Sequence, residues 1–370
     1  MSNTRYDIII IGGGLAGLTC ALHLSQSDLR ILLIEKSNYP HHKVCGEYVS
    51  NEVLPYLNSL GIDPLAEGAV SISKFELSNQ KGKSIKSSLP LGGFGMSRYA
   101  FDHLFYKKLE KEIDILIDSA ETVNFEQDQF YIFTKRKKTY TAEFVVGAFG
   151  KRSNIDISMK RSFVSTRTSW MAIKSHYHCD FPNDLVALHT FKGGYCGLSK
   201  TESNAVNMCC LIDHAVFKNY TGINDFQKEV MGANPKLKAF FSEGKPLSEK
   251  PMSISQISFQ NKKPVENHVI MLGDSAGLIH PLCGNGMAMA IHSAKLFSEV
   301  FLRHKTDRKS IESEYSAAWE LMFSNRLKAG KHIQKVLLHP TLSSIGFSVG
   351  QLFPSLLPRI IKKTHGTIIE

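Results

Sequence analysis

The stretch Tyr6-Asp7-Ile8-Ile9-Ile10-Ile11-Gly12-Gly13-Gly14-Leu15-Ala16-Gly17 constrains this chain more than any other, because an apolar run passes through a G-x-G-x-x-G turn into a helical pattern. Strand, glycine turn and helix in that order open a βαβ unit that binds a dinucleotide. Gly12 permits the tight turn, Gly14 lets the backbone approach a pyrophosphate, and Gly17 lets helix and strand pack closely. The first helical turn, from Leu15 and Ala16 onward, offers unpaired N–H groups to the phosphates. A second apolar strand, Ile31-Leu32-Leu33-Ile34, ends at Glu35-Lys36. This lies about 20 residues beyond the glycines, where a carboxylate accepts hydrogen bonds from an adenosine ribose, and Lys36 falls in the same cofactor-binding set. An acid there disfavours a 2′-phosphate, which selects FAD or NAD over NADP.

With 370 residues, 43% of them hydrophobic and 21% charged, the chain has the length for two domains and the composition of a globular protein. The net charge of +10 raises nucleic acid or anionic lipid as partners. The basic residues are spread, however, and the cluster Lys135-Arg136-Lys137-Lys138 has no interleaved aromatics. Lying between Phe130-Tyr131-Ile132-Phe133 and Tyr140, it reads as a solvated hairpin turn, and no nucleic-acid partner is expected. The seven cysteines, Cys20, Cys45, Cys179, Cys196, Cys209, Cys210 and Cys283, include no C-x-x-C pair, which predicts a reduced, cytoplasmic protein. His176, His178, His189, His214 and His280 show no paired metal spacing, so no metal site is expected. The first strand begins within a few residues of Met1, leaving no room for a cleavable signal, and no apolar run reaches the roughly 18 residues of a membrane span.

Further along, Glu47 to Leu60 has apolar positions at helical spacing, and short alternating runs over residues 70–90, such as Phe75-Glu76-Leu77, predict strands. Ser97-Arg98 opens a helix whose apolar face is Phe101, Leu104, Phe105 and Leu109. Ile113–Ile117 and Phe144–Ala148 read as strands returning to the nucleotide-binding sheet. From about 160 to 260 the pattern is β-rich, as in Met171-Ala172-Ile173 and Ala205–Ile212. The first domain resumes with the strand His268–Leu272, the turn Gly273-Asp274-Ser275-Ala276-Gly277 and a small-residue helix from Gly286 to Arg303. The tail after Lys331 is apolar and basic, and Pro340, Pro354 and Pro358 predict short helices separated by kinks.

The glycine turn, His42-Lys43-Val44-Cys45-Gly46-Glu47, Ser97-Arg98, the strand before Gly150 and Gly273–Gly277 together resemble the FAD-dependent oxidoreductases of the aromatic hydroxylase (group A flavin monooxygenase) superfamily. Within it they resemble the geranylgeranyl reductase-like branch. The resemblance implies an α/β fold: a Rossmann-like FAD-binding domain (1–70, 95–160 and 265–305) interleaved with a β-sheet substrate domain (71–94 and 161–264), plus a C-terminal helical region (306–370). FAD is then the cofactor. Gly273 and Asp274 close the flavin site, although Asp274 also suits a helix N-cap. His280-Pro281-Leu282-Cys283-Gly284-Asn285-Gly286-Met287 resembles the family's Pro-x-x-Gly-x-Gly run, which places Gly284, Gly286 and Met287 at the flavin. Arg98 sits where the family sets an arginine against the FAD phosphates, or is otherwise a surface charge. Lys43, Cys45 and Gly46 lie in the segment next to the isoalloxazine. Cys45 is the candidate catalytic residue, a proton donor for C=C reduction, against the ordinary reading of a small buried hydrophobe.

Two departures narrow the expectation. Gly147-Ala148-Phe149-Gly150 replaces Gly-Ala-Asp-Gly, so direct reduction by NAD(P)H should be slow, leaving NAD(P)H or a ferredoxin as the external donor. Gly194-Tyr195-Cys196-Gly197-Leu198-Ser199 stands in for the reductases' Tyr-x-Trp-x-Phe-Pro motif without its Trp and Phe. Tyr195 and Cys196, with His280, are the expected substrate-lining residues. The halogenases' Trp-x-Trp-x-Ile-Pro has no counterpart, Trp170 and Trp319 being far apart. The substrate expected is small and hydrophobic, a prenyl or polyketide-like lipid whose C=C bond is reduced. The alternatives are aromatic hydroxylation and a flavin-binding redox partner without a small substrate. Lys331–Glu370 either covers the substrate entrance and rests on anionic membrane or packs as a plain helical layer.

Overall fold

A computed structural model describes residues 5–166, 168–353 and 355–370, and the kink expected at Pro354 lies outside the described residues. The first strand, Arg5–Ile11, lies parallel between Ile31–Glu35, with Ile8 opposite Ile31, and Thr139–Gly147, with Ile8 opposite Phe144. Both of its faces are covered, so Ile8, Ile9 and Ile10 are all buried and the strand is apolar at every position rather than alternating. Asp114–Ile117 and Val269–Met271 extend this parallel sheet on its two sides. Helices Leu15–Leu24, Arg98–Leu109 and Gly286–His304 accompany it, the first touching both others. Ser97 caps the second of these, its Oγ accepting from the Ala100 N–H, and Phe101, Phe105 and Leu109 are the buried face.

The basic cluster does form the turn of a hairpin. Gln129–Thr134 runs antiparallel to the start of Thr139–Gly147, and Lys137 takes a positive φ between them.

A second sheet is built from residues distant in the chain. In spatial order it runs Lys245–Pro246, Trp170–His178, Val206–Asp213, Gly194–Lys200, Leu185–Phe191, Val70–Ser78, Ser84–Gly95 and Tyr48–Ser50. All its pairings are antiparallel except that of Leu185–Phe191 with Val70–Ser78. The chain therefore leaves the first sheet, contributes strands to the second, and returns twice.

Two expectations are corrected. Glu47–Leu60 is not one helix: Tyr48–Ser50 is a strand paired with Gly93–Gly95, and the α-helix covers only Leu54–Ser59. Glu47 has φ +56°, outside the helical region, and Pro55 fits only a first turn, so the helix starts there. The region after Lys331 forms the expected short helices, Pro340–Leu352 and Leu356–Thr364, once the 31-residue helix Arg308–Leu338 has ended. Gly330 within the long helix keeps the close approach to Cys283, whose sulfur would stand 3.0 Å from an added Cβ. Pro340 begins the next helix, Pro340–Leu352, and Pro358 lies in the first turn of Leu356–Thr364, where a proline costs no hydrogen bond, so Pro358 makes no kink.

The long helix is tied to the first sheet by Tyr315, fully buried, whose hydroxyl donates to the Met271 carbonyl at 2.7 Å. Tyr315→Phe keeps the ring packing and removes that bond, so it should cost about 1–2 kcal/mol. A urea unfolding curve with a lowered midpoint and unchanged slope checks this.

Candidate active site

A cavity of about 840 Å³ lies where the two sheets and the C-terminal helices meet. Its polar end is the glycine turn. Gly12 has φ +107°, and a Cβ there would stand 2.4 Å from the Ala148 carbonyl oxygen; at Gly17 a Cβ would stand 2.0 Å from the Gly12 carbonyl oxygen. Both glycines thus serve the crossing of strand and helix. Gly14 differs. Its nearest neighbours would be Arg98 Nη2 at 3.6 Å and Lys43 Nζ at 3.9 Å, so it faces open space rimmed by two cations. The helix behind it has no side-chain cap, which leaves its first N–H groups, from Leu15 and Ala16, directed at that space. Glu35, with Lys36 beside it on the wall, accepts from the Gly13 N–H at 2.6 Å and the Ser37 N–H at 3.1 Å.

The two cations are held by a residue that the sequence reading passed over. Asp102 is completely buried and accepts from Arg98 Nε and Nη2, each at 2.7 Å, and from Lys43 Nζ at 2.9 Å. Burial alone would raise its pKa, but Arg98 and Lys43 hold its carboxyl below the usual range. For Arg98 burial acts in the opposite sense and Asp102 outweighs it, so the guanidinium is charged at every working pH. Arg98 is therefore an inward-facing cation and not a surface charge. The i, i+4 spacing of Arg98 and Asp102 on one helix was the available signal.

The loop carrying Lys43, Cys45 and Gly46 is fastened by the second sheet. Asn207 donates to the Cys45 carbonyl at 3.1 Å, Ser199 to the Gly46 carbonyl at 3.4 Å, and Lys174 to the Lys43 carbonyl at 3.1 Å. Glu47 ends the loop, fully buried, accepting from the Arg98 N–H at 2.8 Å and from Lys174, and bonded to His176 Nε2 at 2.6 Å. Burial pushes the Glu47 pKa upward, and His176 and Lys174 more than offset it. Nothing in the local pattern around Lys174 or His176 marks them, since their role appears only when the strand Trp170–His178 reaches the loop. Cys45 is half-buried on the cavity wall beside Arg98, and the Cβ direction of Gly46 is open.

The third segment completes the wall. Gly273 has φ +55°, and Asp274 sits in a short turn in which no side chain acts as cap. The next long helix starts after Asn285, so Asp274 is not its N-cap. Gly284, with φ +62°, would bring a Cβ within 3.0 Å of the Tyr48 ring; Gly286 begins the helix, also without a side-chain cap, and Met287 lies beside it on the wall. Uncapped helix starts, a cationic rim at Gly14 and an acid at Glu35 fit the pyrophosphate and ribose of FAD, and the open walls at Gly46 and Gly286 leave room beyond them.

Of the expected substrate-lining residues, only Tyr195 lines the cavity. Its hydroxyl accepts from the Leu282 N–H at 3.0 Å. Cys196 points to the opposite face, because successive strand residues alternate, and packs in the second core with Ile173 and Phe191. His280 is turned off the wall, stacked on Phe259 at 3.9 Å and bonded to Gln334 at 2.6 Å, and burial pushes its pKa down to about 4.

Asp102→Asn should keep the fold but loosen both cations. FAD affinity should fall roughly tenfold or more, since charge-assisted hydrogen bonds are about twice as strong as neutral ones. Gly14→Leu should fold and fail to bind FAD. Flavin fluorescence titration with circular dichroism of the same samples checks both.

Residues 6–169 match the pyridine nucleotide-disulphide oxidoreductase family model, and residues 223–326 match the squalene epoxidase model. A digeranylgeranylglycerophospholipid reductase of Methanococcus vannielii is 22% identical over 85% of this chain and 82% of its own. Conditioned medium factor receptor 1 of Dictyostelium discoideum is 21% identical over 82% of this chain, which spans 64% of that protein's length. Among solved structures, the flavin-dependent brominase Bmp2 superposes with a TM-score of 0.81 at 17% identity, covering 99% of this chain and 95% of that one. The glycine turn with its buried carboxylate, the uncapped helix starts and these relatives together make the chain an FAD-dependent oxidoreductase.

Proposed function

We propose that the chain reduces a C=C bond of a hydrophobic lipid, prenyl or polyketide-like. The observation that carries this reading is the shape of the cavity: beyond Cys45 it continues between Phe75, Leu77 and Leu188 of the second sheet and Leu337, Leu357 and Ile361 of the C-terminal helices, without a charged side chain among these six. When bound, FAD supplies hydride from its reduced ring. The protein's part is to exclude water, hold the alkene against the wall at Cys45 and deliver the proton. The Cys45 S–H bond breaks as the proton moves to the second alkene carbon, and the thiolate left beside Arg98 regains a proton from solvent.

The external donor is NAD(P)H or a ferredoxin-like protein. Phe149 packs on Gly147 at the cavity wall and offers no acceptor to a nicotinamide, which supports slow reduction by the nucleotides themselves. The squalene epoxidase match over residues 223–326 favours a second reading, an oxygenase acting on a similar apolar substrate. Turnover under strict anaerobiosis with chemically reduced flavin separates the two. Saturation of the alkene without oxygen is expected, and a strict oxygen requirement sinks the reductase. Cys45→Ser should retain FAD and lower anaerobic turnover by roughly 10²-fold or more; equal turnover would reduce Cys45 to packing.

The same helices support uptake of substrate at a membrane surface. Pro340–Leu352 leaves Leu342, Ile345, Val349 and Leu352 exposed, the last at 75%. Lys335, Arg359, Lys362 and Lys363 are exposed nearby in sequence, and no Asp or Glu occurs from Leu321 to Ile369. Ile360 is both exposed and on the cavity wall. Among the described residues no helix is long and apolar enough to cross a membrane, so contact would be peripheral. Co-sedimentation with phosphatidylglycerol vesicles should be strong at low salt, weaker at high salt, and lost in Ile345→Glu with Leu352→Glu while FAD is retained. Indifference of the unaltered protein to these vesicles would return the tail to the alternative of a plain helical layer.

A further inference from the structure

A buried cation, Arg161, and a half-buried one, Lys262, lie behind the flavin turns and are not used by the proposed chemistry. Lys262, from the connection after the strand Met252–Ile257, donates to the carbonyl of Asp274 at 2.7 Å and to that of Lys151 at 2.9 Å, with the Phe163 ring 4.3 Å from its Nζ. Arg161 donates to the Ser275 carbonyl at 3.0 Å and to Asp156 and Glu266, each at 2.8 Å. Ser275 Oγ adds a direct link, accepting from the Gly150 N–H at 2.9 Å. The Gly273–Ser275 turn and the Gly150–Lys151 loop, both on the cavity wall, are thus joined from behind.

We infer that Lys262 is a positioning residue of the FAD site: its ammonium locks the Asp274 turn to the Gly150–Lys151 loop, and protonation of that amine keeps Asp274 in place for the cofactor. The two cations are not equivalent. Arg161 is a permanent cation with carboxylate partners. Among the described residues Lys262 makes no ion pair within hydrogen-bond distance; its contacts there are two carbonyl bonds and an aromatic face. Burial pulls its pKa down to about 8, with Asp156 and Asp274 opposing and Arg161 and Lys151 reinforcing the shift. A neutral amine has two protons to donate and a weaker hold on both carbonyls, so the lock loosens as pH rises through that value. FAD affinity is then constant on the acid side and falls on the alkaline side. This inference does not depend on which substrate is reduced.

The test is FAD titration of the apoprotein by flavin fluorescence from about pH 6 to about pH 9.5, with circular dichroism at each pH. The unaltered protein should lose affinity above about pH 8 with its fold intact. Lys262→Met should bind roughly tenfold to a hundredfold more weakly at neutral pH, as expected for loss of charge-assisted hydrogen bonds, and show no inflection. Lys262→Arg should also lack the inflection, because arginine does not titrate there. A flat profile in the unaltered protein, the same inflection in Lys262→Arg, or tight binding by Lys262→Met would each overturn the inference. Should Lys262→Met not fold, the unaltered protein and Lys262→Arg decide the matter between them.

Discussion

The site depends on a carboxylate that never meets solvent. Asp102 is buried beneath two cations that would otherwise repel each other beside an uncapped helix start. Removing a charge from water costs several kcal/mol, at least ~3–5 kcal/mol when its partner is lost, and that cost is offset only by near-ideal geometry. Here the bidentate Arg98 pair and the Lys43 contact provide it. The consequence is a positive rim, fixed before any ligand arrives, at Gly14, where a Cβ would meet nothing closer than the two cations. A pyrophosphate entering there displaces little protein structure and meets charge already in place.

A second consequence is the mutual dependence of the two sheets. The cofactor-facing loop belongs by sequence to the first βαβ unit, yet its carbonyls at Lys43, Cys45 and Gly46 are held by Lys174, Ser199 and Asn207 of the second sheet. Glu47 then links Lys174 and His176 to the first turn of the helix that carries Arg98. The chain's repeated passage between the sheets is what makes these contacts available. The substrate wall and the cofactor rim therefore share supports, in which side chains of the second sheet hold the loop's carbonyls and the Glu47 carboxylate.

Much of this was legible in local pattern. The glycine turn, the second strand with Glu35, the helix opened by Ser97 and the helix from Gly286 depend on short-range rules of periodicity, capping and glycine placement, which operate within a few residues. Errors arose where another part of the fold overrode such a rule. Glu47–Leu60 has helical spacing, but Tyr48–Ser50 finds a strand partner at Gly93–Gly95 and Glu47 is drawn into a left-handed conformation by its buried partners. Pro358 looked like another break, but it falls in the first turn of Leu356–Thr364, where a proline is accommodated.

The sequence by itself determined the strand, glycine turn and helix with Glu35 beyond them, and the basic, apolar tail, because each follows from residue type and spacing; Arg98, Lys43 and Asp274 were placed near the turn by resemblance to a family. Tertiary structure decided which of Tyr195 and Cys196 faces the cavity, since a strand sends neighbours to opposite sides and only the packing of the sheet assigns the sides. It also turned His280 away from the wall and brought Asp102, Lys174 and Lys262 to the cofactor segments. A buried charge carries no local signature. Its meaning lies in the partners that satisfy it, and for Lys174 and Glu47 those partners are more than a hundred residues apart in the chain.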